Sequence, residues 1–353
     1  MEARLMRGLL VIGSLCSLGA GFGGPSRSYR TQNFIVQASS AQFAQQVGDA
    51  AEQFRRELAV SWLGHELPPW PQPCPIRVQD APNLGAGGAT EYTPTPRGVR
   101  DFNMSIQGSQ QRILDSVLPH EITHTILATH FGRPLPRWAD EGACTTVEHS
   151  SEKQRHEQML HQFLTSNRGI PMNRMFLLRD YPRDILPLYA QGLSVSKFLI
   201  AQGGRRKFVD FVGEVLDGSQ WTDAVRRNYG YESLAELQEY WLAWVADGSG
   251  SVEQYAKRDT PVGAAAAPLV AQASHESPVD SNVVVASESA GWYLRRRQQV
   301  AAKEATSSAP MTPRQSFEKK PLRGHNISRP QPVQGISPHG IPFSAVDSGR
   351  FFR

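Results

Sequence analysis

The chain has 353 residues, 37 Lys and Arg against 33 Asp and Glu, and a formal net charge of +4. Residues 251–353 hold 13 of the basic and 8 of the acidic groups, so residues 1–250 carry a net −1. The body of the chain therefore lacks the basic excess of a nucleic-acid-binding domain, and beyond its first two dozen residues no apolar run reaches the length of a membrane span.

Arg4 and Arg7 precede an apolar stretch from Leu9 to about Phe22. A charged start and a short apolar run are the layout of a secretory signal peptide. Residues 1–24 are expected to be removed, leaving an exported chain, periplasmic or secreted. A retained signal would instead be a membrane anchor. Export would leave Cys74 and Cys144, either joined as one disulfide or kept as two separate buried thiols.

Asn33–Ala38 reads as a strand. From Ser39 to about Gly64, Phe43, Val47, Ala51, Phe54, Leu58 and Trp62 recur at helical spacing. A rigid loop with Pro68, Pro69, Pro71 and Pro73 follows, then a short strand at Pro75–Gln79. Leu84–Thr90 is rich in glycine but lacks the Gly-Lys-Ser/Thr ending of a phosphate loop, so it reads as a flexible segment where backbone can approach backbone. Phe102–Ile106 reads as a strand.

The next stretch carries the chemistry. His120-Glu121-Ile122-Thr123-His124 is an H-E-x-x-H motif. Residues four apart share a helix face, so both imidazoles can reach one zinc ion at about 2.0–2.1 Å. Glu121, rotated about 100° from His120, can sit beside the metal as a general base without ligating it. Leu114, Val117, Leu118, Ile122, Ile126 and Leu127 make this helix amphipathic. Pro119 lies inside it and either kinks it or restarts it.

A zinc enzyme needs a third protein ligand and an open fourth position. His130 stands where a metzincin H-E-x-x-H-x-x-G-x-x-H places its third histidine. That pattern needs a glycine at 127, where this chain has Leu127. If the helix continues, His130 points about 120° away from His124. Glu141 is the other candidate, on a second helix from about Arg137 to His149, folded back by the loop Gly132–Pro136. The missing glycine favours Glu141.

This pattern, with Pro136-Arg137-Trp138-Ala139-Asp140-Glu141-Gly142-Ala143 downstream, resembles the peptidase MA-like gluzincins. The resemblance runs over roughly Asn33 to Asp247 and continues through Tyr189-Ala190-Gln191-Gly192. It implies an α+β, mostly helical zincin domain with a small N-terminal β-region. It also implies His120, His124 and Glu141 as zinc ligands, Glu121 as general base, and Tyr189 as oxyanion donor. In that family an edge strand above the metal pairs with an extended peptide, a role open here to Phe102–Ile106 or to the Gly-rich segment. The chain departs from the related enzymes at Thr145, where they often place an Asp that orients a ligand histidine. Asp140 and Glu148 are the carboxylates left for that task.

Ser151 to about Asn167 reads as a helix whose His156 and His161, with the preceding His149, form a solvated face. Residues 171–187 read as a loop across the cleft. Further helices are expected at Leu193–Ile200, Phe208–Leu216, Trp221–Tyr229 and Leu234–Val245, punctuated by glycines, with Trp241 and Trp244 facing the core. After Gly248 periodicity fades into a basic, compositionally disordered tail, 249–353, suited to an anionic surface or wall polymer or to no partner at all.

The sequence thus leads to an exported zinc metallopeptidase with a domain at 32–248, acting on a peptide or protein substrate, with no nucleic-acid partner. The alternatives are a metzincin-like protease using His130 and a non-enzymatic exported binding protein on a zincin scaffold.

Overall fold

The computed structural model describes residues 27–257. The expected signal peptide and all but the first residues of the expected tail lie outside the described residues. No helix among the described residues is long and apolar enough to cross a membrane.

The fold is α+β, with a small sheet at the N-terminal end and helices thereafter. Five strands, β1 (Arg27–Arg30), β2 (Phe34–Ala38), β3 (Cys74–Asp80), β4 (Gly87–Thr95) and β5 (Gly98–Gly108), lie in the order β1-β2-β3-β5-β4. β2, β3 and β5 are parallel neighbours, and β1 and β4 pair antiparallel at the two edges. Phe34, Val36 and Ala38 alternate into the core on β2, as do Phe102, Met104 and Ile106 on β5, the period-2 pattern of a half-buried strand.

Helix α1 (Ala41–Leu63) covers this face. Its start, left open by the sequence, is set by Ser40, whose hydroxyl accepts a hydrogen bond from the Phe43 N–H at 3.1 Å, satisfying an amide the helix leaves bare. Arg55 is buried on α1. It donates to the carbonyls of Leu67 and Pro68 at 3.2 and 2.6 Å and lies 4.5 Å over the Trp70 ring, tying the proline loop to the helix.

The Gly-rich segment departs from its expected flexibility. From Gly87 onward it is strand, with Gly88 opposite Ile106 and Thr90 opposite Met104. Pairing with β5 overrides the weak strand propensity of glycine, so this segment, and not Phe102–Ile106, forms the edge of the sheet.

Pro119 is accommodated without a break. A short helix α2 (Gln110–Arg112) runs into a π-helical turn, Ile113–Val117, and then into α3 (Leu118–Phe131) with Pro119 in its first turn. The wider π turn skips the amide that proline lacks. α3 then continues unbroken to Gly132, whose φ of 66° closes it.

Helix α4 (Arg137–Thr145) is shorter than the expected Arg137–His149. Its Trp138 is fully buried and stacks on Phe176 at 4.1 Å. α5 (Ser150–Thr165) and a one-turn α6 (Met172–Phe176) follow. α7 (Leu186–Leu216) begins before the expected Leu193, because Pro187 falls in the first turn, where a missing N–H costs nothing. A non-helical Gly204 interrupts it. α4 and α7 approach so closely that a Cβ on Gly192 would lie 2.8 Å from the Trp138 carbonyl oxygen.

α8 (Trp221–Tyr229) and α9 (Leu234–Ala246) complete the body, with Trp241 and Trp244 in the core. The packed chain passes the expected boundary at 248. Tyr255 is buried, and its carbonyl accepts from the Tyr231 hydroxyl at 2.7 Å. The first residues assigned to the tail therefore belong to the folded body. Cys74 and Cys144 are separate buried thiols, and burial pushes Cys74 up to about 12.

Candidate metal centre

His120, Glu121 and His124 project from α3, and Glu141 from α4. The His120 and His124 Nε2 atoms stand 3.2 Å apart. Glu141 Oε2 lies 3.4 Å from the first and 3.8 Å from the second. Ligands sharing one tetrahedral ion at about 2.0–2.1 Å stand about 3.3 Å from one another, so the three atoms are spaced as a ligand set.

The groups behind them fit the same assignment. His120 Nδ1 pairs with Glu148 Oε1 at 2.6 Å, and His124 Nδ1 with Asp140 Oδ1 at 2.8 Å. Carboxylates on both Nδ1 atoms would hold the protons there if a metal took the Nε2 atoms, which both face the shared space. Glu141 Oε2, facing the same space, is buried without a hydrogen-bond partner. Two imidazole nitrogens and a carboxylate oxygen thus converge in one buried place, where they could hold a cation.

The electrostatics carry the same signature. Burial disfavours charge on both imidazoles, yet Glu141 and Glu148 outweigh it and hold His120 well above its ordinary value. Asp140 and Glu141 likewise raise His124 to about 9. Burial opposes the Glu141 carboxylate, and the two histidines and Tyr181 reverse this, bringing it to about 2. The site attracts positive charge.

A second set includes Cys144. Its sulfur and the two histidines have ligand atoms within 4.8 Å of one another, a group that could hold a metal ion. Glu141 meets the histidines at shorter range and lines the cleft, whereas Cys144 is fully buried and does not line it. Burial and the surrounding carboxylates push the Cys144 thiol well above its ordinary value.

The cleft has a volume of about 350 Å³. Glu121 sits in it between α3 and the edge strand β4. Thr90 donates to Glu121 Oε2 at 2.6 Å. A Cβ on Gly88 would lie 2.5 Å from Glu121 Oε1, so only glycine leaves room for that oxygen. Burial raises the Glu121 pKa, partly offset by His124, His120 and Thr90.

Tyr189, in the first turns of α7, lines the same cleft, and burial with the nearby Glu141 raises its hydroxyl well above the usual range. His156 also lines the cleft and stacks on Tyr189, with centroids 6.3 Å apart. This corrects its placement on a solvated face: α5 packs on α7 and turns His156 inward. His130 is exposed on α3, outside the cleft lining.

Tyr181 escaped the sequence reading. It lies in the segment before α7, and its hydroxyl donates to Glu141 Oε1. Thr90, Gly88 and His156 were not marked as site residues either. A tyrosine in the loop expected across the cleft was the one available signal. No protein-family model matches the chain, and a search of the curated proteins returns no match.

Proposed function

We propose that this protein is an exported zinc-dependent hydrolase of peptide bonds, of gluzincin type. The observation that carries the reading is the convergence of His120 Nε2, His124 Nε2 and the unpartnered Glu141 Oε2 at 3.2, 3.4 and 3.8 Å. Those three residues would hold the zinc. Zinc bound there would supply Lewis acidity, polarising a carbonyl and acidifying water.

The chain's own groups do the rest. Glu121 takes a proton from the attacking water and passes it to the leaving amine. A carboxylate placed beside the water can both accept and return a proton. Thr90 holds one Glu121 oxygen, and Gly88 keeps the other clear. Tyr189, kept protonated, is the donor for the oxyanion. The backbone of β4, at the sheet edge and along the cleft, is available to an extended peptide. Export rests on the layout of residues 1–24.

The test is zinc per polypeptide in the full-length chain, with a peptide-library screen alongside. One zinc is expected in the parent and in His130→Ala and Cys144→Ser, and none in Glu141→Ala. Glu121→Gln should keep the metal and lose hydrolysis. Loss of zinc in His130→Ala alone would move the protein to a metzincin-like site, and loss in Cys144→Ser alone to a thiolate site. A parent that takes up no zinc would overturn the reading and leave a non-enzymatic binding protein.

A further inference from the structure

We propose that Tyr181 is a positioning residue for the metal centre: by occupying Glu141 Oε1 it makes Glu141 a ligand through one oxygen only, Oε2. The proposal rests on the reading of Glu141 as third ligand.

A carboxylate on a helix has two equivalent oxygens and a soft terminal torsion. Left alone, it can offer a metal either oxygen or both. Here the two are distinguished. The Tyr181 hydroxyl donates to Oε1, while Oε2 is buried and faces the imidazole Nε2 atoms of His120 and His124 at 3.4 and 3.8 Å. Glu141 is 1% exposed. The acceptor left over is the one directed at the histidines.

Tyr181 is itself held in place. The Arg137 guanidinium lies 4.5 Å over its ring, and Nη1 approaches its hydroxyl at 3.4 Å. Arg137 Nε donates to the Arg179 carbonyl at 3.2 Å, and the Arg137 N–H to the Leu178 carbonyl at 3.4 Å. Arg137 is buried and stands four residues before Glu141, one helical turn away on α4. One short helix thus carries both the ligand and the clamp that fixes the ligand's partner. The segment from Leu178 to Tyr181 is fastened to the metal centre through that helix.

Partners of metal ligands are worth about 10–100-fold in metal affinity. The experiment is competition for zinc against a chelator of known affinity, using full-length parent, Tyr181→Phe and Tyr92→Phe. Tyr92 lines the same cleft and packs on Phe102, so its variant controls for a general disturbance. Phenylalanine keeps the ring under Arg137.

Tyr181→Phe should bind zinc about 10–100-fold more weakly, with Tyr92→Phe matching the parent. With cobalt in place of zinc, the visible absorption of Tyr181→Phe should weaken as the freed oxygen raises the coordination number. A cobalt spectrum and a zinc affinity both unchanged in Tyr181→Phe would overturn the inference while leaving the zinc site standing. Equal losses in both tyrosine variants would also overturn it. A parent that binds neither metal would remove this inference together with the proposed function.

Discussion

The floor of the cleft comes from one stretch, residues 118–148, which sets His120, Glu121, His124, Asp140, Glu141 and Glu148 on and just beyond two helices joined by a five-residue loop. Its walls come from segments far apart in the chain: the edge strand β4, the His156 face of α5, and the run from Tyr181 to Tyr189. In the floor, helical spacing and a short connection place the donors almost by themselves. In the walls, each contributing side chain depends on how distant elements pack. Damage to the floor should therefore show in metal and stability, and damage to the walls in turnover, except at Tyr181, whose hydroxyl reaches Glu141 in the floor.

The largest effect is expected at Trp138, which is fully buried and holds α4 against Phe176 and α7. Trp138→Ala should cost about 3–5 kcal/mol in urea unfolding and lower zinc content with it. A variant equally unstable but fully zinc-loaded would show that the floor does not depend on the packing beneath it. Next comes Gly88→Ala. The new Cβ meets Glu121 Oε1 at 2.5 Å, and misplacing a reacting group by about 1 Å costs on the order of 100-fold in rate. Zinc content should stay at the parent level, and loss of metal would blur the division between wall and floor. The smallest effect is expected at Thr90. Thr90→Val removes a hydrogen bond to a carboxylate worth about 1.5–3 kcal/mol, so kcat should fall about tenfold or more at unchanged zinc. Thr90→Ser should restore most of it, because the hydroxyl and not the methyl contacts Glu121.

The same division explains what could be read in advance. Helices α3 and α4, the histidine pair and the candidate Glu141 follow from local spacing, and the structure brings those residues together. Asp140 and Glu148 could be named as available carboxylates, but which histidine each one meets depends on the roll of α4 against α3. Tyr181 lies 40 positions from Glu141 in a stretch without periodicity, so its place in a loop expected across the cleft was the one signal it gave. Leu84–Thr90 looked flexible because glycine has little intrinsic preference for strands, and the pairing of Gly87–Thr90 with β5 is a tertiary fact. Tyr255 is a single aromatic in a polar context, and its burial is equally invisible without Tyr231 opposite it.

The π turn at Ile113–Val117 has a consequence for phase. Over the twelve residues from Arg112 to His124 an unbroken α-helix would drift by about 120°, carrying Arg112 off the face that bears the histidines. The π turn advances fewer degrees per residue and takes up part of that drift. Arg112, Ser116, His120 and His124 consequently all line one cleft, and Arg112 meets Glu152 of α5 at 2.7 Å. The extra residue works as a rotary joint: it sets the azimuth of everything before it without moving the histidines after it. Removing one residue there would turn Arg112 by about 100°, unlatching α5 from the cleft mouth while His120 and His124 stayed where they are.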